Sequence, residues 1–269
     1  MPSAYDFTFL ERYWVGPLKI TGQIGSGKST GARIRACYLA SAVPDASRVT
    51  VLVSKASEKI AFREAFHEEC PAGNRVEIQT FTTWVQALLN ELGADMTVLT
   101  EGEERNQLWA QAYELASPDI GLPLEFYITE FDQVITPSYI RSAAEYATVQ
   151  RSGRGERLTK SLRRRIWPVF VEYFRLLEEA KMYDVTALPR RLLPELYKVA
   201  NRPYHLVVDD AQVLTKNQFA LIRAAVPTGP NDLSLFHEED PASTRSTVVY
   251  RDVGIEVRGR SFQLEVFKR

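Results

Sequence analysis

The run Gly22-Gln23-Ile24-Gly25-Ser26-Gly27-Lys28-Ser29 constrains this chain more than any other stretch. It fits G-x-x-x-x-G-K-[ST] at every fixed position, a pattern whose mechanics require a buried strand before it and a helix after it. The flanks comply: Leu18 and Ile20 read as a short buried strand, and residues 31–42 as a helix. Such a connection turns backbone N–H groups and the positive end of a helix dipole toward an anion. The glycines let the backbone curl through positive φ and approach the anion closely. Gly22, Gly25, Ser26, Gly27, Lys28, Ser29 and Thr30 are therefore the expected phosphate cradle. Lys28 supplies a point charge for β- and γ-phosphates, and Ser29 a hydroxyl for Mg²⁺.

Beyond this loop the first third alternates strand and helix. Residues 49–54 (VTVLVS) are largely apolar, as in a parallel strand buried on both faces. A helix is expected over 58–69, a strand over 76–80 and a helix over 83–92, a rhythm that predicts a parallel sheet with right-handed crossovers. From about 101 to 182 the periodicity is helical with almost no strand signal, and helices are expected over 103–116, 137–150 and 160–181. A shorter helix, carrying Pro189 and Pro194, is expected over 188–199. Strand character returns at 205–209 (HLVVD) and ends in Asp209 and Asp210. Ligands of open α/β sheets bind outside the carboxyl ends of the strands. A strand-end aspartate beside a phosphate loop holds the Mg²⁺ shell, which makes Asp209 the expected metal ligand. Gln212 is placed to sense a γ-phosphate. Further strands are expected over 233–236, 247–250, 254–257 and 262–267, with an acidic turn at Glu238, Glu239 and Asp240.

With 269 residues, 45% hydrophobic and 25% charged, the composition is that of an ordinary globular protein able to bury one large core or two small ones. No apolar run is long enough to cross a bilayer, and the first residues lack a secretory pattern. Cys37 and Cys70 argue against a disulfide framework and fit a reducing cytoplasm, with Cys37 as a small core residue. Neither they nor the three histidines have metal-ligand spacing. The net charge of −1 does not mark a nucleic-acid binder. Residues 151–165, however, carry Arg151, Arg154, Arg157, Lys160, Arg163, Arg164 and Arg165 against Glu156 alone. That cluster reads either as a phosphate-neutralising patch or as a solvated loop and helix start. Phe81 and Trp84 read as base-stacking rings or as core, and Trp109, Trp167, Phe170 and Phe174 as core.

The order of these elements resembles the UvrD/Rep family of superfamily 1 DNA helicases, over most of the chain but only the first half of such an enzyme. Residues 22–30 resemble the family's first motif, and 51–56 (VLVSKA) its second. Thr80-Phe81-Thr82-Thr83 resembles the Thr-Phe-His-Ser stretch that touches single-stranded DNA. Residues 151–158 and 166–170 are similar to one branch of the family. Tyr183-Asp184-Val185 resembles the Asp-Phe segment before the metal-binding strand, 207–212 (VVDDAQ) the Val-Asp-Glu-Ala-Gln motif, and 262–269 the segment ending in Asn-Tyr-Arg. The resemblance implies an α/β P-loop NTPase (RecA-like) parallel sheet with helices on both faces over 1–95 and 183–269. It implies an inserted all-helical subdomain, like the family's 1B, over 96–182. It implies ATP and Mg²⁺ as cofactors and a cytoplasmic protein. Lys28, Asp210, Gln212 and Arg269 take catalytic roles, and Lys55, Thr80, Phe81, Thr82, Arg154 and Arg157 contact single-stranded DNA.

The chain also departs from that pattern. Asp210 stands where the family has the glutamate that activates water, and a shift of about 1 Å in such a group costs roughly 10²-fold in rate. Val213 replaces an aspartate, Pro241 the γ-phosphate-sensing glutamine, and Phe267 and Lys268 an Asn-Tyr pair. No adenine-reading glutamine is evident over 9–17. A second RecA-like domain is not among these residues, so a partner chain or further motor domain is expected to complete any motor. The expectation is ATP binding with weak hydrolysis and no processive unwinding. The alternatives are a non-catalytic scaffold and a small-molecule kinase with an arginine-rich lid.

Overall fold

Among the described residues eight strands form: β1 (Leu18–Gly22), β2 (Arg48–Val53), β3 (Val76–Thr80), β4 (Thr97–Leu99), β5 (Met182–Asp184), β6 (Tyr204–Val208), β7 (Leu233–Glu238) and β8 (Ser261–Leu264). The computed structural model describes residues 7–100, 102–151, 157–184, 187, 196, 204–239 and 248–265. The chain divides into two compact units. One comprises Met1–Val85, Leu193–Leu214 and Ile222–Arg269, the other Gln86–Leu192 and Thr215–Leu221.

The first unit is built on a six-stranded sheet in the order β3-β2-β6-β7-β1-β8, with every pairing parallel. Parallel strands need both faces covered, and the apolar runs supply both: Val51 stands between Ile78 and Val207, and Ile20 between Phe236 and Phe262. The chain runs from β1 outward to β2 and β3, then returns to place β6 and β7 between β2 and β1. The carboxyl ends of β6, β7 and β1 are thereby neighbours, at the point where the strand order reverses.

Helix α1 (Lys28–Ala42) follows the glycine loop and buries Ala32, Ala36, Leu39 and Ala40 along one face. Gly31 lets it approach closely, since a Cβ there would lie 3.0 Å from the Phe236 ring and 3.1 Å from Leu10. Arg35 is fully buried, and no carboxylate pairs with it among the described residues. It donates to Ser234 Oγ (3.1 Å), Leu10 O (2.8 Å), Arg12 O (2.7 Å) and Asn231 Oδ1 (2.8 Å). Burial lowers its pKa to about 10. These bonds pin the segment before β1 and the turn before β7 to one guanidinium. Helix α2 (Ala56–Glu69) and helix α3 (Phe81–Glu91) follow β2 and β3.

The expectation for the cysteines is overturned: Cys37 on α1 and Cys70 at the end of α2 form a disulfide, with Cα atoms 5.5 Å apart. Their separation of 33 residues gave no sign of it, because packing of α1 and α2 brings them together. Cross-linking a loop of that length restricts the unfolded chain. Reduction, or Cys37→Ser, is expected to cost about 2–4 kcal/mol, read as a lower urea midpoint with reductant than without.

The second unit holds α4 (Glu103–Ala116), α5 (Leu124–Glu130) with a wider turn over Phe131–Ile135, α6 (Ala143–Thr148) and α7 (Lys160–Glu179). It also holds a two-stranded parallel sheet of β4 and β5 that the sequence reading did not foresee. Its core is aromatic. Trp109 stacks on Tyr173 (centroids 3.8 Å apart) and meets Phe131 and Phe170 edge-on. The expected helix over 137–150 shrinks to α6. Tyr139 takes a positive φ of 56°, which ends the preceding helical run, and Ser142 Oγ starts α6 by accepting from Glu145 N (3.2 Å). Helix α7 begins at the Thr159 cap and carries Pro168 within it, buries Ile166, Trp167, Val169 and Phe170, and stops two residues short of the expected Lys181, which takes a positive φ.

Helix α8 (Lys216–Ala225) precedes β7. Among the described residues no strand forms over 248–250 or 254–257, where strands are expected. A 3₁₀ turn occupies Tyr250–Val253 and Gly254 closes it at φ +76°. Of the helix expected over 188–199 only residue 196 is described, and Leu196 is buried. No helix among the described residues is long and apolar enough to cross a membrane.

Candidate functional site

Strand β1 ends at Gly22, the loop occupies residues 23–27, and α1 begins at Lys28. Gly25 and Gly27 take φ of +79° and +84°, which side chains rarely tolerate, and Gly27 caps the helix. Ser26 N donates to Gln23 O (3.1 Å) and Gly31 N to Gly27 O (2.8 Å), closing the curl. Gly22 cannot be larger, because a Cβ would lie 2.3 Å from Ser26 Oγ and 3.1 Å from Leu264 O. Ser26 Oγ is buried and has no hydrogen-bond partner. The first N–H groups of a helix have no intrahelical acceptor, so the start of α1, at Lys28, Ser29 and Thr30, adds donors to the same place.

Lys28 is buried, with two hydrogen bonds and one ion pair at its ammonium. It donates to Gln23 O (2.8 Å) and Gly22 O (3.1 Å), and Glu238 Oε2 at the end of β7 lies 3.6 Å away. Asp209 follows β6, where its N–H donates to Leu52 O (2.9 Å). Its carboxylate is buried and keeps Oδ1 without a partner. Burial, opposed by the Ser29 hydroxyl and aided by the nearby Asp210 charge, pushes its pKa up to about 6. Asp210 is half-buried in a left-handed conformation (φ 56°). Gln212 joins two strand ends: its Nε2 donates to Asp210 Oδ1 (3.0 Å) and its Oε1 accepts from Glu238 N (2.9 Å).

The fold thus brings Lys28, Ser29, Asp209, Asp210 and Gln212 to one set of strand ends. Glu238 joins them, from the stretch 237–241 in which Pro241 stands in place of the resembled family's γ-phosphate-sensing glutamine. Its contact with Lys28 itself depends on β7 lying beside β1. Beside it, burial lowers the pKa of His237, and the Lys19 charge adds to this; Nδ1 lies 3.4 Å from Tyr250 Oη.

The expected DNA-contacting residues fare differently. Lys55 is exposed where α2 begins, and its N–H donates to Glu58 Oε2 (3.1 Å). Thr80 and Thr83 bond each other's backbone N–H at the start of α3, with 3.3 and 3.0 Å separations, as helix caps do. Thr82 is half-buried. Phe81 is buried, with its centroid 5.7 Å from that of the fully buried Trp84, so the expectation of a base-stacking ring at Phe81 is corrected: this ring packs in the core. Trp84 Nε1 donates to Tyr204 Oη (2.6 Å).

In the second unit the basic run is partly structural. Arg151 donates from Nη2 to the fully buried Glu130 (2.7 Å), which also accepts from Tyr146 Oη (2.8 Å). Arg163 donates to the carbonyls of Tyr146 and Val149. Arg157, Lys160, Arg164 and Arg165 are exposed. Arg154, Arg269, Pro241, Phe267 and Lys268 lie outside the described residues. No group of three or more His, Cys, Asp or Glu is placed to hold a metal among the described residues. No protein-family model matches the chain, and no curated protein is found similar to it.

Proposed function

We propose that the first unit binds ATP with Mg²⁺ as a helicase-like module resembling the N-terminal half of a UvrD/Rep enzyme, hydrolyses it weakly, and contacts single-stranded DNA. The observation that carries this reading is the pairing of two orphaned buried oxygens, Ser26 Oγ and Asp209 Oδ1, with a glycine loop whose φ values suit an anion. Unpartnered buried polar atoms cost free energy and call for a partner from outside the chain. A bound nucleotide would supply phosphate oxygens and a labile phosphoanhydride, with Mg²⁺ to neutralise them.

The chain's own residues divide the remaining work. Gly25, Ser26, Gly27, Lys28, Ser29 and Thr30 would hold phosphates through backbone N–H groups and the Lys28 ammonium. Ser29 and Asp209 would hold the cation. Asp210, oriented by Gln212, is the group to take a proton from water, and its side chain, one methylene shorter than glutamate, supports slow turnover. Lys55, Thr82 and the exposed Arg157 remain candidates for DNA contact. A second RecA-like domain, on a partner chain, would be needed for unwinding. The second reading is a nucleotide-binding scaffold without turnover, and the engaged state of Lys28 favours it.

The test is Mg·ATP binding to wild type and Lys28→Ala, followed by hydrolysis with and without single-stranded DNA. Binding is expected to fall at least about 100-fold in the variant, as when a charge-assisted contact to phosphate is lost. DNA-stimulated turnover in the wild type supports the motor reading, and binding without turnover supports the scaffold. Equal binding by both proteins overturns the site.

A further inference from the structure

We propose that Glu238 is a built-in competitor for the anion position at Lys28: its carboxylate engages the ammonium in the nucleotide-free protein and is displaced by an incoming phosphate. This rests on the reading of Lys28 as a phosphate ligand. A lysine ammonium has three N–H donors and no acceptor. Here two go to Gln23 O and Gly22 O, and the Glu238 carboxylate stands at 3.6 Å from the same nitrogen. The third N–H has the Glu238 carboxylate as its nearby counter-charge, so a phosphate must compete with that carboxylate for it.

The three partners are not equally free to go. Gly22 O and Gln23 O belong to the loop backbone, and Gly22 O also accepts from Glu239 N (3.0 Å), which ties the loop to the end of β7. Withdrawing either carbonyl would unmake the curl that the phosphate needs. Glu238 is held differently. Its backbone N–H is fixed on Gln212 Oε1 (2.9 Å), while its carboxylate sits at the end of a rotatable side chain that is partly exposed. The carboxylate can therefore swing into solvent with β7 unmoved. Glu239 provides the contrast one residue on, since its carboxylate accepts from Gln263 Nε2 (3.1 Å).

Charge supplies the driving force in both directions. A carboxylate and a phosphate cannot share one buried ammonium without repelling each other. The ion pair thus satisfies Lys28 in the free protein and raises the threshold for ligand entry. The same contact links the loop to Asp210, because Glu238 N and Asp210 share the Gln212 amide.

The test compares Mg·ATP binding to the full chain as wild type, Glu238→Gln and Glu239→Gln, by calorimetric titration. A second readout needs no ligand: the ¹³C-methyl resonance of dimethylated Lys28 at one fixed pH, assigned with Lys28→Arg. Glu238→Gln is expected to bind Mg·ATP about tenfold more tightly, the size of one close charge repulsion in a semi-exposed site. Glu239→Gln should stay within about twofold of wild type, as surface substitutions do. The Lys28 resonance should move in Glu238→Gln and not in Glu239→Gln. Unchanged or weaker binding by Glu238→Gln overturns the competitor role while leaving triphosphate binding intact. A Lys28 resonance that stays in place in Glu238→Gln overturns the ion pair itself. If the resonance moves but none of the proteins binds Mg·ATP, the competitor role falls together with the nucleotide reading.

Discussion

Asp209→Asn is expected to stabilise the nucleotide-free protein near neutral pH and to abolish its stabilisation by Mg·ATP. The wild-type carboxylate is buried, one of its oxygens has no partner, and its pKa is pushed up to about 6 from an ordinary 3.8. A folded-state pKa above the unfolded value means that the native protein holds this proton more tightly. Below pH 3.8 both states are protonated and the group contributes nothing. As pH rises from 3.8 to 6 the unfolded chain gives up its proton first, and native stability falls. Above pH 6 the folded protein carries a buried charge that costs up to about 3 kcal/mol. Asparagine keeps the shape without that charge. Thermal melts at pH 7.5 should therefore place Asp209→Asn above wild type, and the gain should fade as pH falls toward 4. Added Mg·ATP should raise the melting point of wild type and leave the variant where it was. A variant that melts below wild type at pH 7.5, or that still responds to Mg·ATP, would show that Asp209 is an ordinary structural carboxylate.

A charge held where it destabilises the fold is the kind of local inconsistency that marks a binding site. The sequence exposed this one well: the loop, the strand before it, the helix after it and the Asp209 strand end all depend on local pattern, and β1, β2, β3, β6 and β7 lie where apolar runs place them. What escaped it depends on neighbours far apart in the chain. Glu238 reaches Lys28 only because β7 lies beside β1. Cys37 and Cys70 meet only because α1 and α2 pack together. Strands β4 and β5 span three residues each, too few for a period-two pattern to register. Thr80-Phe81-Thr82-Thr83 left two readings open for Phe81, a base-stacking ring or core, and only the tertiary packing decides between them: Thr80 and Thr83 cap α3 and Phe81 is buried beside Trp84.

Asp184 carries the same lesson with a larger energy, and Asp184→Ala is expected to destabilise the second unit by about 3–5 kcal/mol. Its position suggested kinship with a segment before a metal-binding strand, but its contacts are those of a buried anchor. Asp184 is almost wholly buried and accepts from Arg105 Nε (2.7 Å) and Tyr173 Oη (2.7 Å). Arg105 also reaches the more exposed Asp132 (2.6 Å). Burial alone would lower the Arg105 pKa, yet the two carboxylates outweigh it and raise it; burial and then Asp184 raise that of Tyr173. Removing Asp184 leaves the buried Arg105 Nε and Tyr173 hydroxyl without their acceptor and the cation with one half-exposed carboxylate, whereas Asp132→Ala removes a partner that water can partly replace and should cost about 1 kcal/mol. The network joins α4, α7 and β5, so its loss should appear as a lower urea midpoint, while Lys28-dependent binding, measured below the melting range, stays as in wild type. Buried ion pairs commonly cost as much in desolvation as they return. The combined replacement Arg105→Met, Asp184→Leu and Tyr173→Phe should accordingly recover most of what Asp184→Ala loses. Recovery would identify the triad as a packing device that a hydrophobic cluster can replace; failure to recover, with binding lost at the same time, would give Asp184 a role in the site after all.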